Sequence, residues 1–146
     1  MTQPAIKGKN AIITGASRGI GKSIALRLAQ HGVNLVLAAR TQGPLDATVK
    51  EIKEKYGVDA IGIPTDVGKL EGLKNLVNKA TTYFKKIDIL VNVAGVSSQH
   101  PFHQQPIEEM EMLANVNYLG YVRLIRLVIP QMVERKEGHI ISVVSG

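Results

Sequence analysis

A glycine-rich turn between a buried strand and a helix restricts the fold of this chain most strongly. The apolar run Ala11-Ile12-Ile13 leads into the segment TGASRGIG, residues 14–21, and apolar residues then recur at helical spacing over residues 20–29. A helix N-terminus favours an anion, and glycines let a pyrophosphate approach its backbone N–H groups. The turn therefore predicts a dinucleotide site; the alternative is that the glycines serve only helix–strand packing.

Short Ile, Val and Leu runs alternate with helical segments along the rest of the chain. Near-continuous apolar strands, as in residues 34–39 and 87–91, indicate a parallel sheet with helices on both faces. Right-handed crossovers then give an α/β, doubly wound, Rossmann-like fold. The predicted strands are 9–14, 33–39, 59–63, 88–92 and 139–144, and the predicted helices are 19–31, 44–56, 69–85 and 107–136, with a loop at 95–106.

Size and composition indicate one ordinary globular domain over residues 1–146. No run approaches the ~18–20 apolar residues of a membrane span, and residues 1–9 lack the apolar region of a secretory signal, so we expect no membrane association and a cytoplasmic protein. The absence of cysteine excludes disulfides and thiolate metal sites. His100 and His103 are a weak metal pair without a third ligand nearby, and no metal is predicted.

The formal net charge of +6 is concentrated in the half of the chain that carries the glycine turn. Residues 1–60 hold nine Lys or Arg against four Asp or Glu, whereas residues 61–146 hold nine against eight. A basic half could bind nucleic acid, but interleaved aromatic residues are missing, so no nucleic-acid partner is predicted. A polyanionic cofactor explains the charge more economically, and a solvated basic surface remains the alternative.

The residue after the second strand predicts which cofactor is bound. An acid there accepts a hydrogen bond from a ribose 2′-OH, whereas an arginine accommodates a 2′-phosphate. This chain has Arg40 and no carboxylate at that position, and Arg18 precedes Gly19 as a second cation. Both arginines favour NADP(H) over NAD(H). The alternatives are a surface salt bridge for Arg40 and a solvated loop position for Arg18.

The spacing Thr-Gly-x-x-x-Gly-x-Gly resembles that of the short-chain dehydrogenase/reductases, in particular their NADP-preferring members, and the resemblance extends along the whole chain. It implies that Asp66-Val67 meets the adenine ring, although Asp66 could instead cap the third helix. Asn92-Val93-Ala94-Gly95 resembles the family's Asn-Asn-Ala-Gly turn, with Val93 replacing the second Asn. The predicted cofactor residues are Thr14, Gly15, Ser17, Arg18, Gly19, Ile20, Gly21, Arg40, Asp66, Val67, Asn92, Ala94 and Gly95.

The resemblance also implies a catalytic tetrad of Asn, Ser, Tyr and Lys. Asn117 matches the Asn better than Asn115 does, and Ser145 matches the serine at the end of the fifth strand, with Ser142 read as a packing residue. The Tyr-x-x-x-Lys pair is absent, because no tyrosine has a lysine four residues later. Family members fall in the range of roughly 200–250 residues of single α/β domains, so the expectation is a domain truncated after its fifth strand, whose natural chain continues past Gly146.

These observations predict the cofactor-binding part of an NADPH-dependent reductase that acts on a small-molecule carbonyl. The glycine turn and fifth strand resemble those of 3-oxoacyl-acyl-carrier-protein reductases, which makes a 3-oxoacyl thioester the first substrate hypothesis. The long helix at about 107–136 is expected to join copies into a homo-oligomer. The alternative is a catalytically incomplete dinucleotide-binding or interaction module, for example a shortened isoform that pairs with a full-length partner.

Overall fold

The computed structural model describes residues 5–145, so residues 1–4 and Gly146 lie outside the described part of the chain. Five parallel strands form one sheet in the order β3-β2-β1-β4-β5. Their bounds are β1 Asn10–Thr14, β2 Asn34–Ala39, β3 Ala60–Pro64, β4 Ile89–Asn92 and β5 His139–Ser142. This order is that of a doubly wound sheet, and the predicted Rossmann-like α/β fold is confirmed.

Helices cover both faces of the sheet, as the apolar strands require. One face carries α1 (Gly19–Gln30) and α2 (Gln42–Tyr56), whose buried side chains join a core with the odd-numbered positions of β1 and β2. The other face carries α3 (Leu70–Phe84) and a C-terminal helical segment described below. Residues 73, 76, 77 and 80 of α3 are buried at helical spacing, which gives the helix one apolar face.

The helix predicted at 107–136 is interrupted. Helix α4 (Ile107–Ala114) passes into a π-helical turn (Asn115–Leu119), and α5 (Gly120–Arg135) follows. Within this run the Asn115 side chain donates to the Glu111 carbonyl at 3.0 Å and competes with the backbone ladder. A Cβ at Gly120 would lie 2.7 Å from the Val67 carbonyl oxygen, so the start of α5 packs directly on backbone. The extra residue of the π turn is compatible with both contacts.

Most other predicted boundaries differ from the structure by one or two residues; α2, for example, begins at Gln42 rather than at residue 44. Strand β5 ends at Ser142 rather than at residue 144, although the Val143 N–H still donates to the Asn92 carbonyl at 2.9 Å. The loop at 95–106 contains one 3-10 turn, Phe102–Gln104. None of the helices in residues 5–145 has the length and apolar character needed to cross a membrane.

A ladder of polar side chains crosses the amino edge of the sheet. The buried Asp88 carboxylate accepts from the Asn10 N–H at 2.9 Å, and the Asn10 side chain donates to the Lys86 carbonyl at 3.0 Å. Asn34 donates to the Asn10 side-chain oxygen at 3.2 Å and accepts from the Asp59 N–H at 3.1 Å. These bonds connect the starts of the neighbouring strands β4, β1, β2 and β3, and so fix the register of these four strands.

We expect Asn10→Ala to lower the free energy of unfolding by about 1–3 kcal/mol, because it leaves the Lys86 carbonyl and the Asn34 amide without their partners. Urea denaturation followed by circular dichroism measures the change. The control is Asn75→Ala on the exposed face of α3, for which a change within about 0.5 kcal/mol is expected. Equal effects of the two substitutions would contradict a role for the ladder.

Candidate cofactor site

A cleft of about 500 Å³ opens at the carboxyl edge of the sheet, where the turns after β1, β2, β3 and β4 meet. In open α/β sheets ligands bind in the crevice where the strand order reverses, and here β1 lies between β2 and β4. Most of the predicted cofactor residues line this cleft: Gly15, Ser17, Arg18, Gly19, Ile20, Gly21, Arg40, Asp66, Val67, Ala94 and Gly95.

The glycines of the first turn are required by geometry. Gly15 and Gly19 have φ of +62° and +55°, a region that side chains disfavour. A Cβ at Gly15 would lie 2.9 Å from the Ala94 backbone, and a Cβ at Gly21 would lie 2.1 Å from the Gly15 carbonyl oxygen. The turn after β1 therefore packs tightly against its own helix and against the turn after β4.

The N-terminus of α1 is free to meet an anion. The helix begins at Gly19, and the Arg18 side chain at the N-cap position makes no capping hydrogen bond. The N-cap side chain therefore accepts from none of the first N–H groups of the helix, whose first residues Gly19, Ile20 and Gly21 line the cleft, and the helix dipole adds positive potential there. This arrangement fits a pyrophosphate.

Two predicted cofactor residues, Thr14 and Asn92, lie behind the cleft wall. The buried Thr14 hydroxyl accepts hydrogen bonds from the Val93 N–H at 2.9 Å and the Ala94 N–H at 3.1 Å. Asn92 is buried at the end of β4, with its amide nitrogen 3.4 Å from the Ser142 hydroxyl. The structure gives Thr14 and Asn92 contacts that hold the turn after β4 and the end of the sheet in place.

The end of the cleft beside β2 is basic. Arg18 and Arg40 are exposed and line the cleft, and neither forms an ion pair with another of residues 5–145. Asp66 lines the same region and accepts from the Gly68 N–H at 2.9 Å. The N-cap of α3 is Lys69, so Asp66 stabilises the turn before the helix and does not occupy its cap position.

The predicted catalytic residues lie outside the lining of the cleft. The Asn117 side chain accepts from the Val96 N–H at 2.9 Å and donates to the Val96 carbonyl at 2.7 Å, so it holds the loop after β4. Ser145 is exposed, three residues beyond the end of β5. The catalytic roles of Asn117 and Ser145 stay predictions.

Tyr121 is the tyrosine bonded to the segment after β5. Its hydroxyl donates to the Val143 carbonyl at 3.0 Å, and burial raises its pKa above the ordinary value. A raised pKa keeps the phenol protonated, so Tyr121 stabilises this segment as a neutral hydrogen-bond donor.

Among residues 5–145 no three His, Asp or Glu side chains converge on a possible metal position, and His100 contacts Glu109 instead.

Several residues that line the cleft were not among the sequence predictions. They are the last residues of β2, residues that follow β2, β3 or β4, one residue of the first turn of α2 and one of the π turn: Ala38, Ala39, Thr41, Pro44, Thr65, Val93, Val96 and Val116. The positions after each strand could have been found from the rule that parallel strands end at a common edge. Val116 could not, because its approach depends on the π turn.

Comparison with known proteins identifies the class of this chain. The family model described as short chain dehydrogenase matches residues 9–146, and the chain belongs to this family. Its curated relatives include the 3-oxoacyl-acyl-carrier-protein reductase FabG of Staphylococcus epidermidis, 36% identical over 138 residues, which are 94% of this chain and 56% of FabG. The sequence-based resemblance to this family and to 3-oxoacyl reductases is thereby confirmed.

Solved structures agree in fold and differ in cofactor. L-sorbose reductase from Gluconobacter frateurii, complexed with NADPH and L-sorbose, has a TM-score of 0.91 and 36% identity, over 94% of this chain and 52% of that one. A 7α-hydroxysteroid dehydrogenase complexed with NADH and 7-oxo glycochenodeoxycholic acid has a TM-score of 0.91 and 33% identity, over 96% of this chain and 54% of that one. This chain thus spans about half the length of the relatives it matches.

We expect Gly21→Ala to destabilise the protein by about 1–3 kcal/mol, because the new methyl group collides with the Gly15 carbonyl and forces the backbone apart. The matched control is Gly43→Ala in α2, where a Cβ meets nothing within 4 Å apart from its chain neighbours. The following Pro44 disfavours a side chain here and offsets the gain in helix propensity, so a change within about 1 kcal/mol is expected. Urea unfolding of both variants measures the difference. A Gly21→Ala variant as stable as the parent would contradict the close packing of this turn.

Proposed function

We propose that this chain is the cofactor-binding part of an NADPH-dependent short-chain reductase that reduces a ketone of the 3-oxoacyl type. The observation that carries the proposal is the basic end of the cleft, where Arg40 follows β2 in place of an acid and Arg18 stands at the N-cap of α1. Two guanidinium groups without ion-pair partners among residues 5–145 fit the two negative charges of a 2′-phosphate.

The rest of the cleft supports the same cofactor. We assign the pyrophosphate to the turn at Gly15, Gly19 and Gly21, where the N-terminal N–H groups of α1 are uncapped. The ribose 2′-phosphate then lies towards β2, and the nicotinamide half extends towards β4 and the loop that begins at Gly95. Asp66 and Val67 are placed to border the adenine ring.

Bound NADPH supplies a hydride, which passes to the carbonyl carbon of the substrate while the carbonyl oxygen takes up a proton. We propose that Ser145 donates a hydrogen bond to that oxygen and that Asn117 orders the adjacent loop. The family's tyrosine and lysine pair does not occur in these 146 residues. The proposed reaction is therefore assigned to a protein that contains this chain together with such a pair, and the FabG relative supports a 3-oxoacyl substrate.

A second candidate is a dinucleotide-binding or interaction module that does not catalyse the reaction. The missing Tyr-x-x-x-Lys pair favours it for the 146-residue chain alone. Both candidates require the same cleft and cofactor, and they differ in whether a tyrosine and lysine are supplied. Turnover of a 3-oxoacyl thioester with NADPH by the protein from its natural source supports the reductase; NADPH binding without turnover supports the module. The cytoplasmic location expected from the sequence stays a prediction.

Arg40→Asp tests the cofactor assignment directly. The substitution replaces a charge-assisted contact by repulsion from the 2′-phosphate, so we expect NADPH to bind about 10- to 100-fold more weakly, which follows from about 1.5–3 kcal/mol per hydrogen bond to a charged group. NADH affinity should rise or stay constant. Fluorescence titration of both cofactors gives the ratio of dissociation constants.

Arg27→Asp is the matched control for charge, because Arg27 is exposed on α1 and lies outside the cleft lining. It should change the ratio of the NADPH and NADH dissociation constants less than twofold, because at physiological salt the interaction between exposed charges is screened beyond about 8 Å. If Arg40→Asp leaves the ratio unchanged, the 2′-phosphate assignment is wrong.

We further propose that two copies associate through α4 and α5. Ile107, Tyr118, Val122, Ile129 and Val133 are exposed apolar residues along the outer side of these helices, with Tyr118 at 65% and Val133 at 66% exposure. In an antiparallel pair related by a two-fold axis near residue 118, the exposed Glu111 of one copy meets the exposed Arg126 of the other. This apolar stripe with complementary charges suits a second copy of the chain.

Arg126→Glu should weaken such a dimer about tenfold, because it places two carboxylates opposite each other at both symmetric positions. The double variant Glu111→Arg with Arg126→Glu restores the opposite charges and should restore the dimer. Sedimentation velocity over a concentration series measures both. A monomeric parent, or a double variant that stays dissociated, would exclude this interface.

A further inference from the structure

The loop at 95–106 is attached to α4 by a cluster of side chains that the proposed chemistry does not use. The Glu109 carboxylate oxygen Oε2 accepts from the Ser98 hydroxyl at 3.0 Å and lies 3.0 Å from His100 Nδ1. The His100 N–H also donates to the Ser98 hydroxyl oxygen at 3.0 Å. We call Ser98, His100 and Glu109 the Glu109 clamp.

Among the side-chain hydrogen bonds of residues 5–145, the Glu109 clamp is the second of two sets that attach this loop to the helical run at 107–135. The first is the pair of hydrogen bonds between Asn117 and the Val96 backbone. Asn117 and Glu109 are eight residues apart in sequence: Glu109 lies in α4, and Asn117 lies in the π turn that follows it. Two separate points of the loop are thus held, Val96 by the π turn and residues 98–100 by α4.

This part of the loop continues directly from the wall of the cleft. Gly95 and Val96 line the cleft at its β4 end, with Val116 of the π turn beside them, whereas Arg40 lines the opposite end. If residues 98–100 separate from α4, Val96 keeps its bonds to Asn117, but Gly95 and Val96 lose the restraint that the following residues of the loop place on them. The Glu109 clamp therefore acts on the β4 end of the cleft and leaves the β2 end untouched.

We propose that Glu109 is a positioning residue, which through Ser98 and His100 fixes the wall that the nicotinamide half of the cofactor contacts. The proposal rests on the proposed function, because the assignment of the nicotinamide half to the β4 end follows from the 2′-phosphate at Arg40. Glu109 is not among the residues that line the cleft. Its effect passes through the backbone of residues 95–98.

The burial of Glu109 distinguishes it from an ordinary surface carboxylate. Its side chain is 21% exposed, and its bonds are therefore less weakened by solvent than those of a fully exposed pair. Glu108 and Glu109 share the first turn of α4, so both interact favourably with the helix dipole. Of these two glutamates, only Glu109 forms hydrogen bonds to the loop among the described residues, whereas Glu108 is exposed. Glu108 is thus a matched control for the helix-dipole effect.

The test compares two probes that fill different parts of the cleft. NADPH occupies the whole of the proposed site, whereas adenosine 2′,5′-bisphosphate occupies only the adenosine and 2′-phosphate end. We expect Glu109→Ala to weaken NADPH about fivefold or more and to change the affinity for the bisphosphate less than twofold. Glu109→Gln keeps an acceptor oxygen and should recover part of the NADPH affinity. Glu108→Ala should affect neither probe. Isothermal titration calorimetry gives the dissociation constants.

A double-mutant cycle keeps the proposal falsifiable if Glu109→Ala folds poorly. Ser98→Ala removes the hydroxyl that donates to Glu109, and Glu109→Gln weakens the same hydrogen bond by replacing the charged acceptor with a neutral one. The two changes together should therefore be less than additive for NADPH affinity. Equal loss of both probes, or no loss of either, would overturn the positioning role while leaving the cofactor site intact. If the parent chain binds neither probe, the proposed function fails and the inference fails with it.

Discussion

The hydroxyl of Thr14 joins the two turns on which the whole cleft depends. It accepts from two consecutive N–H groups of the turn after β4, and the adjacent Gly15 packs against Ala94 of the same turn. Because β1 and β4 are neighbours at the point where the strand order reverses, this contact sets the distance between the two walls of the crevice. The N-terminus of α1 and the loop after Gly95 lie on either side of this contact.

The two edges of the sheet are built differently. At the amino edge, the ladder from Asp88 through Asn10 and Asn34 to Asp59 uses side chains to bind backbone groups and one another. At the carboxyl edge, Thr14 joins the turns after β1 and β4, whereas Arg18 and Arg40 are exposed, line the cleft and form no ion pair with another of residues 5–145. One edge therefore holds the register of the strands, and the other is left available for a ligand.

The sequence was sufficient for the strands and helices and for the location of the cleft. The apolar runs of β1, β2 and β4 mark buried parallel strands whatever their neighbours are, and the glycine turn and Arg40 occupy positions fixed by chain order. The π turn was not predictable, since its apolar spacing reads as a continuous helix and its interruption involves contacts of Asn117 with Val96 and of Gly120 with Val67. The Glu109 clamp was also not predictable, because it depends on side-chain contacts between a loop and a helix.

The central position of β1 also has a consequence for the order in which the chain can fold. Asn10 and Asp88, which meet at the amino edge, are 78 residues apart in sequence. During synthesis the unit from β1 to β3 emerges first, with Ala11, Ile12 and Ile13 open along the side where β4 later pairs. Contacts between such distant segments form slowly, and an unpaired strand edge invites association in the meantime. The strand at the centre of the finished sheet is thus the most vulnerable edge of the nascent one.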